Sequence, residues 1–193
     1  MEIIKMKQLL ISQRDRKRAV EAIRAGDIFV YPTDTVYGLG CNAEFEKGVI
    51  MIKMAKGSGE AKHFSVIAPG KEWIWGNSVL SKENRSFIDT ILPGPYTVVV
   101  KAGSKAPRAV VSDDGTIGIR IPRHPFSDMV REAGVPLVST SLNLSGEEPV
   151  QSIKQVPDRI KAIANWAVDD GRLEGSSSRV FDLRGNDVKI LRY

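Results

Sequence analysis

One cysteine, Cys41, and two histidines, His63 and His124, are the only thiol and imidazole groups among the 193 residues. A single thiol cannot close an internal disulfide, which fits a reducing cytoplasm, and so small a set argues against zinc sites of the usual ligand types. No apolar run approaches membrane-spanning length, and the opening Met-Glu-Ile-Ile-Lys lacks a signal-peptide pattern, so neither a membrane nor export is expected. The chain also lacks a G-x-G-x-x-G after a strand, a strand–GxxxxGK[ST] phosphate loop and a G-x-S-x-G elbow. Internal repeats, low-complexity segments and composition breaks are missing too, so residues 1–193 read as a single domain.

What is present is ordinary for a folded protein: 42% hydrophobic and 26% charged residues, enough for a sizeable core. The net charge of +5 and sequence pI of about 9.3 fit an anionic ligand such as a nucleotide or RNA.

The stretch Phe29-Val30-Tyr31-Pro32-Thr33-Asp34-Thr35-Val36-Tyr37-Gly38-Leu39 organises the rest. Its apolar start reads as a buried strand, and Pro32, with no N–H for a ladder, ends it. Hydroxyls, a carboxylate and a glycine follow, as at the carboxyl edge of an α/β sheet; a local Asp turn is the plainer alternative. Helices are expected over 15–25, ended by Gly26, over 46–55, from Ser81 to the Pro93-Gly94-Pro95 breaker, over 125–133 and near 157–164. The run Arg16-Lys17-Arg18 reads as a solvated helix face, with an RNA patch as the other reading. Strands are expected at 64–68, 96–101, 116–121, 137–141 and 166–169, with a closing hairpin of 180–183 and 188–192. In 116–121, Ile117, Ile119 and Ile121 share one face, and Gly118 and Arg120 the other. Interleaved helices, parallel crossovers and hairpins predict a mixed α/β sheet.

Four polar clusters sit at element ends: Thr33-Asp34-Thr35, Lys56 with its Gly57-Ser58-Gly59 turn, Arg120, and residues 139–145 around Asn143. Hydroxyls, an amide and two cations suit a phosphate or carboxylate ligand. A Ser–His hydrolase needs one of the two histidines beside a serine, and a self-bonded turn is the plain reading of the Ser/Thr/Asn cluster.

Together these clusters resemble the YrdC/YciO family. Its Pro-Thr-(Glu/Asp)-Thr-hydrophobic-Tyr-Gly-Leu stands at 32–39, its Pro-Gly-Pro-hydrophobic-Thr at 93–97, and its Arg-hydrophobic-Pro-x-His-Pro at 120–125. Its Ser-Thr-Ser-Ala-Asn-hydrophobic-Ser-Gly stands at 139–146, with Leu142 for alanine. Its Ser-Thr-Val-hydrophobic-Asp resembles 178–182, with Arg179 for threonine. The resemblance implies a YrdC-like twisted mixed sheet with flanking helices and a concave, positive groove. It also implies a cytoplasmic nucleotidyltransferase that makes threonylcarbamoyl-AMP from L-threonine, bicarbonate and ATP, with Mg2+ expected on the phosphates. Other threonylcarbamoyl-transfer proteins would then modify tRNA, and direct contact with tRNA or another RNA is a candidate property.

By position in these motifs, Lys56 and Arg120 would face phosphate or carboxylate as catalytic residues. Thr33, Thr35 and Tyr37 would hold substrate, and Lys56, Ser139, Ser141, Asn143 and Ser178 the nucleotide. No protein metal site is implied. The family's Lys-x-Arg-Pro and Pro-Leu steps are replaced here by Lys56-Gly57-Ser58-Gly59 and His63-Phe64, which is closer to the YciO branch. Lys62 or Arg123 is the candidate substitute for the missing arginine. Asn143 is the synthase-type residue. The chain stops where the family commonly adds Arg-x-Gly and a tail, so the second domain of longer relatives is not expected. The alternatives are a YciO-like paralogue with another nucleotide-linked substrate and a non-catalytic RNA-binding protein.

Overall fold

Helices lie on both faces of a mixed sheet in the computed structural model, which describes residues 1–57, 64–185 and 187–192. The chain begins β1 (Glu2–Lys5), α1 (Met6–Ile11), α2 (Gln13–Ala25), β2 (Phe29–Tyr31), β3 (Gly38–Gly40), α3 (Glu46–Lys56) and β4 (Ser65–Ile67). It continues α4 (Lys71–Asn77), β5 (Ser78–Val79), α5 (Lys82–Ile91), β6 (Tyr96–Ala102), β7 (Thr116–Arg120), α6 (Phe126–Ala133) and β8 (Leu137–Ser141). It closes with α7 (Asp158–Lys161), β9 (Trp166–Asp169), β10 (Arg179–Asp182) and β11 (Lys189–Arg192). The sheet order is β1-β9-β2-β3-β8-β4-β7-β6-β10-β11, and β5 pairs with the edge of β6. Pairings such as β4–β7 are parallel and β2–β3, β3–β8 and β6–β7 antiparallel, as the interleaved pattern predicts.

Local chemistry sets the boundaries. The Ser12 side chain accepts from the Asp15 N–H to start α2, and Gly26, at φ 88°, ends it. Ser81 accepts from the Asn84 N–H to start α5. The helix expected near 157–164 is one short turn, α7, held by the Pro157 carbonyl. Arg16 makes a two-pronged pair with Glu132, 2.6 to 3.0 Å, and Arg24 Nε donates to the Ala133 carbonyl at 2.9 Å. The basic run of α2 therefore docks α6 in part, with Lys17 left on the solvent side.

Alternation along β2 divides the core. Ile28 and Val30 point to the layer shared with α3, α4, α5 and α7, while Phe29 and Tyr31 point to the layer under α1, α2 and α6. In the second layer Tyr31 stacks on Phe126 with ring centroids 4.8 Å apart and donates to the Val138 carbonyl at 3.0 Å. That ring lies over β3, which explains its Gly-Leu-Gly sequence. A Cβ on Gly38 would stand 2.6 Å from the Tyr31 ring, and one on Gly40 would stand 1.8 Å from the Val138 carbonyl oxygen.

The same face of the sheet changes character along its strands. Ile67 and Leu137 lie opposite each other under the helices. One pleat repeat away, Ser139, Ser65, Gly118 and Val99 form a cross-strand row, and Ile67 is paired on its other side with Arg120. Residues directly opposite point the same way, so a continuous face passes from apolar to hydroxyl-bearing. The cleft opens there.

Candidate active site

A cleft of about 550 Å³ is lined by Thr33, Val36, Tyr37 and Gly38 after β2, by Phe64 and Ser65 of the β4 segment, and by Thr97 and Val99 of β6. Arg120, Ser139, Thr140, Ser141, Ser177, Ser178, Val180 and Arg192 complete it. Among the described residues its charged lining groups are two guanidiniums, and no thiol, imidazole or carboxylate lines it.

Arg120 is 7% exposed at the end of β7. Its Nη2 donates to Asp34 Oδ1 at 2.9 Å and to Thr35 Oγ1 at 3.2 Å, while the other Asp34 oxygen accepts from the Arg123 N–H at 2.7 Å. Burial pushes the guanidinium pKa down and Asp34 pulls it back up, with Arg192 adding a smaller repulsion. A guanidinium starts so high that it stays charged. Its Nε is buried and has no hydrogen-bond partner among the described residues.

The strand-end loop reconciles the two readings of Thr33-Asp34-Thr35. Thr33 Oγ1 donates to the Val36 carbonyl at 2.7 Å, accepts from the Thr35 N–H at 3.1 Å and lies 2.8 Å from Thr35 Oγ1. It is a local hydroxyl turn and part of the cleft wall at once. Thr35 stands behind the wall, against Arg120. Tyr37 lines the cleft, and its hydroxyl bonds away from it, to the 170–171 backbone. Burial pushes that phenol up to about 12.

Lys56, the last residue of α3, is 5% exposed and points elsewhere. Its ammonium donates to the Ser141 carbonyl at 2.6 Å, the Asn143 carbonyl at 2.9 Å and Asn143 Oδ1 at 3.0 Å. Asn143 Oδ1 also accepts from Ser141 Oγ, and its amide donates to the Glu147 carbonyl. Lys56 and Asn143 thus build the loop that carries Ser141, and neither lines the cleft. Ser139, Ser141 and Ser178 do. Leu142 is fully buried in the core, facing away from the cleft.

Sequence reasoning missed Thr97 and Arg192. Ser178 Oγ lies 2.8 Å from Thr97 Oγ1, and Arg192 Nε and Nη2 donate to the Ser178 carbonyl at 3.0 and 2.7 Å. Thr97 closes the Pro-Gly-Pro motif, which was a usable signal. Arg192 reads only as the end of a hairpin strand.

Some expectations fall away or lie elsewhere. Ser58, Lys62 and His63 are outside the described residues. Arg123 donates to the Pro93 carbonyl at 3.1 Å and does not line the cleft. His124 bonds Asp170 and the Phe126 N–H, and among the described residues no serine bonds a histidine. No cluster of His, Cys, Asp or Glu there could hold a metal, and no helix is long and apolar enough to cross a membrane.

Comparison with known proteins gives this geometry its relatives. The Sua5/YciO/YrdC family model, described as telomere recombination, matches residues 21–193. The threonylcarbamoyl-AMP synthase of Dichelobacter nodosus is 36% identical over 148 residues, covering 74% of this chain and 77% of that protein. Escherichia coli YciO, named as uncharacterised, is 29% identical over 183 residues, 93% of this chain and 89% of its own. Its crystal structure superposes with a TM-score of 0.84 at 28% identity, covering 94% of this chain and 89% of that one. P. abyssi Sua5 in complex with L-threonine superposes with a TM-score of 0.85 at 28% identity, over 94% of this chain and 54% of that one. This chain therefore spans little more than half of that Sua5 chain. With the family model running from α2 to the last strand, the chain belongs to the Sua5/YciO/YrdC family.

Proposed function

We propose that the cleft forms threonylcarbamoyl-AMP from L-threonine, bicarbonate and ATP, with release of pyrophosphate, as a nucleotidyltransferase. The observation that carries this reading is the cleft's make-up among the described residues: a buried guanidinium whose Nε has no partner there, a second guanidinium and many hydroxyls, with no thiol, imidazole or carboxylate. Such a lining binds anions, and among the described residues no base lines it to turn one of its hydroxyls into a protein nucleophile.

The proposed reaction needs none. The threonine amine and bicarbonate condense to a carbamate with loss of water. A carbamate oxygen attacks the α-phosphorus of ATP, and the bond to the β,γ-diphosphate breaks. Catalysis is then alignment and charge stabilisation. Arg120, braced by Asp34 and Thr35, presents its guanidinium to a carboxylate or phosphate oxygen. Arg192 with Ser178 and Thr97 forms the facing anion-binding wall, and Ser139 and Ser141 donate from β8. Lys56 acts through Ser141, by holding its loop. Magnesium accompanying ATP would ride on the phosphates and water, since the described residues offer it no ligand cluster. The product's threonylcarbamoyl group would pass to tRNA through other proteins. The relatives named as synthases, and the Sua5 structure holding L-threonine, support this assignment.

A YciO-like role on another nucleotide-linked substrate is the second reading. It is favoured by one observation: the match to E. coli YciO runs over 93% of this chain, against 74% for the synthase. Pyrophosphate release from ATP, bicarbonate and magnesium, with and without threonine, separates the two. Threonine-dependent release that Arg120→Ala abolishes establishes the synthase. ATP binding without threonine-dependent release gives the second reading, and a protein that binds neither ATP nor AMP at millimolar concentration refutes both.

A further inference from the structure

Between β9 and β10 the chain runs without regular secondary structure and reaches the cleft at its end, where Ser177 and Ser178 line it. At its start the Tyr37 hydroxyl is clasped between two backbone groups, accepting from the Asp170 N–H at 3.0 Å and donating to the Gly171 carbonyl at 2.8 Å. Gly171 takes the left-handed conformation, φ 80°. Outside, Arg172 donates to Gln151 Oε1 at 2.6 Å, and the Leu173 N–H donates to the Gln151 carbonyl at 2.9 Å. The segment then lies down on the strand-end loop. At Gly175 it passes so close that a Cβ would stand 2.1 Å from the Thr35 carbonyl oxygen. Ser177 and Ser178 follow and line the cleft.

The middle of this segment is loosely held. An Arg172–Glu174 ion pair at 3.7 Å is exposed, and among the described residues 174–177 make no hydrogen bond. The opposite walls, on β4, β6, β7 and β8, are fixed by ladder pairing. A boundary that is bonded at its ends, unbonded in its middle and hinged at a positive-φ glycine opens at low cost.

We propose that residues 171–177 are a lid on the cleft, latched by the Tyr37 hydroxyl and seated on Thr35 through Gly175, and that ligand enters and leaves when it lifts. Its choice of probe rests on the nucleotide reading above; its mechanics do not. Tyr37 is in this view a positioning residue whose hydroxyl serves the lid, and its ring alone faces the cleft.

The test is stopped-flow binding of a fluorescent N-methylanthraniloyl ATP to the full chain and to Tyr37→Phe, Arg172→Ala and Gly175→Ala. Each loosens the closed lid, and Gly175→Ala does so without removing a hydrogen bond. Association and dissociation rates should rise together by about five-fold, the rate equivalent of one lost hydrogen bond, with Kd almost unchanged. Unchanged rates, or faster dissociation alone, would overturn the lid in favour of a static wall. If the probe does not bind, the nucleotide reading fails and hydrogen exchange decides the lid. The bonded amides of the segment, Gly171 and Leu173, should then exchange about five-fold faster in Tyr37→Phe while those of β9 do not change. Equal exchange in wild type and variant would refute the proposal.

Discussion

Arg120 and Lys56 are both buried cations at the end of a regular element, and they differ in what their donors meet. The Lys56 ammonium is met by two carbonyls and an amide oxygen of one loop. Among the described residues Arg120 is met on one nitrogen, by Asp34 and Thr35, and its buried Nε has no partner. An ammonium is a compact donor that a loop of carbonyls satisfies; a guanidinium is a planar fork whose remaining edge calls for a second planar acceptor. The first arrangement holds a loop, and the second leaves part of a cleft-lining guanidinium uncommitted among the described residues.

The largest effect should come from Arg120→Ala. It leaves the part-buried Asp34 carboxylate with the Arg123 N–H alone, so denaturant unfolding should show a loss of about 3 kcal/mol, the low end for a broken buried pair. Activity in the pyrophosphate assay should fall by about 10²–10³-fold, as for a lost charge-stabilising donor. A variant that folds and turns over normally would erase the distinction between the two cations. Lys56→Met should cost about 1–3 kcal/mol by leaving loop acceptors unpaired. Because it acts through the Ser141 loop, saturating substrate should recover most of its kcat; a kcat loss as deep as that of Arg120→Ala would show that Lys56 reaches the reacting groups. Thr35→Val removes one acceptor from Arg120, and thermal unfolding should register about 1 kcal/mol. The smallest effect lies far from both cations. Ser112 and Thr116 hydroxyls, with Arg184 beyond them, hold the Asp114 carboxyl down to about 2. A depressed carboxyl stabilises the fold above its unfolded value near 3.9 and loses that contribution as pH falls toward 2. Asp114→Asn should flatten acid unfolding in that window, and an unchanged acid profile would count against it.

Elements with their own local signals were legible in the sequence. α2 and α5 have hydroxyl caps, α2 and α3 end at left-handed glycines, and β7 alternates. β3 was not legible, because Gly-Leu-Gly reads as a turn until the Tyr31 ring is seen lying on it. α1 hid because Leu10 and Ile11 are exposed and break the amphipathic pattern, and α4 is a short helix interrupted by Gly76. At the site, the strand-end motifs located Thr33, Tyr37, Arg120, Ser139, Ser141 and Ser178, all on the cleft wall. Motifs do not say which way a side chain turns, so Lys56 and Asn143 looked equivalent to these. Arg192 reaches the cleft only because β10 pairs with β6 across more than eighty residues of chain, and short-range patterns carry no trace of that.

The hydroxyl pair beside Arg120 has a direction. A guanidinium has no acceptor, so Thr35 Oγ1 must receive from Nη2, and Thr33 Oγ1 spends its one proton on the Val36 carbonyl. The bond between the two threonines therefore runs only one way, from Thr35 to Thr33. A chain of hydrogen bonds runs from Arg120 through both hydroxyls to a backbone carbonyl, each dipole reinforcing the next. The strand-end loop is polarised before any ligand arrives, its order pinned at one end by a guanidinium that can only donate and at the other by a carbonyl that can only accept.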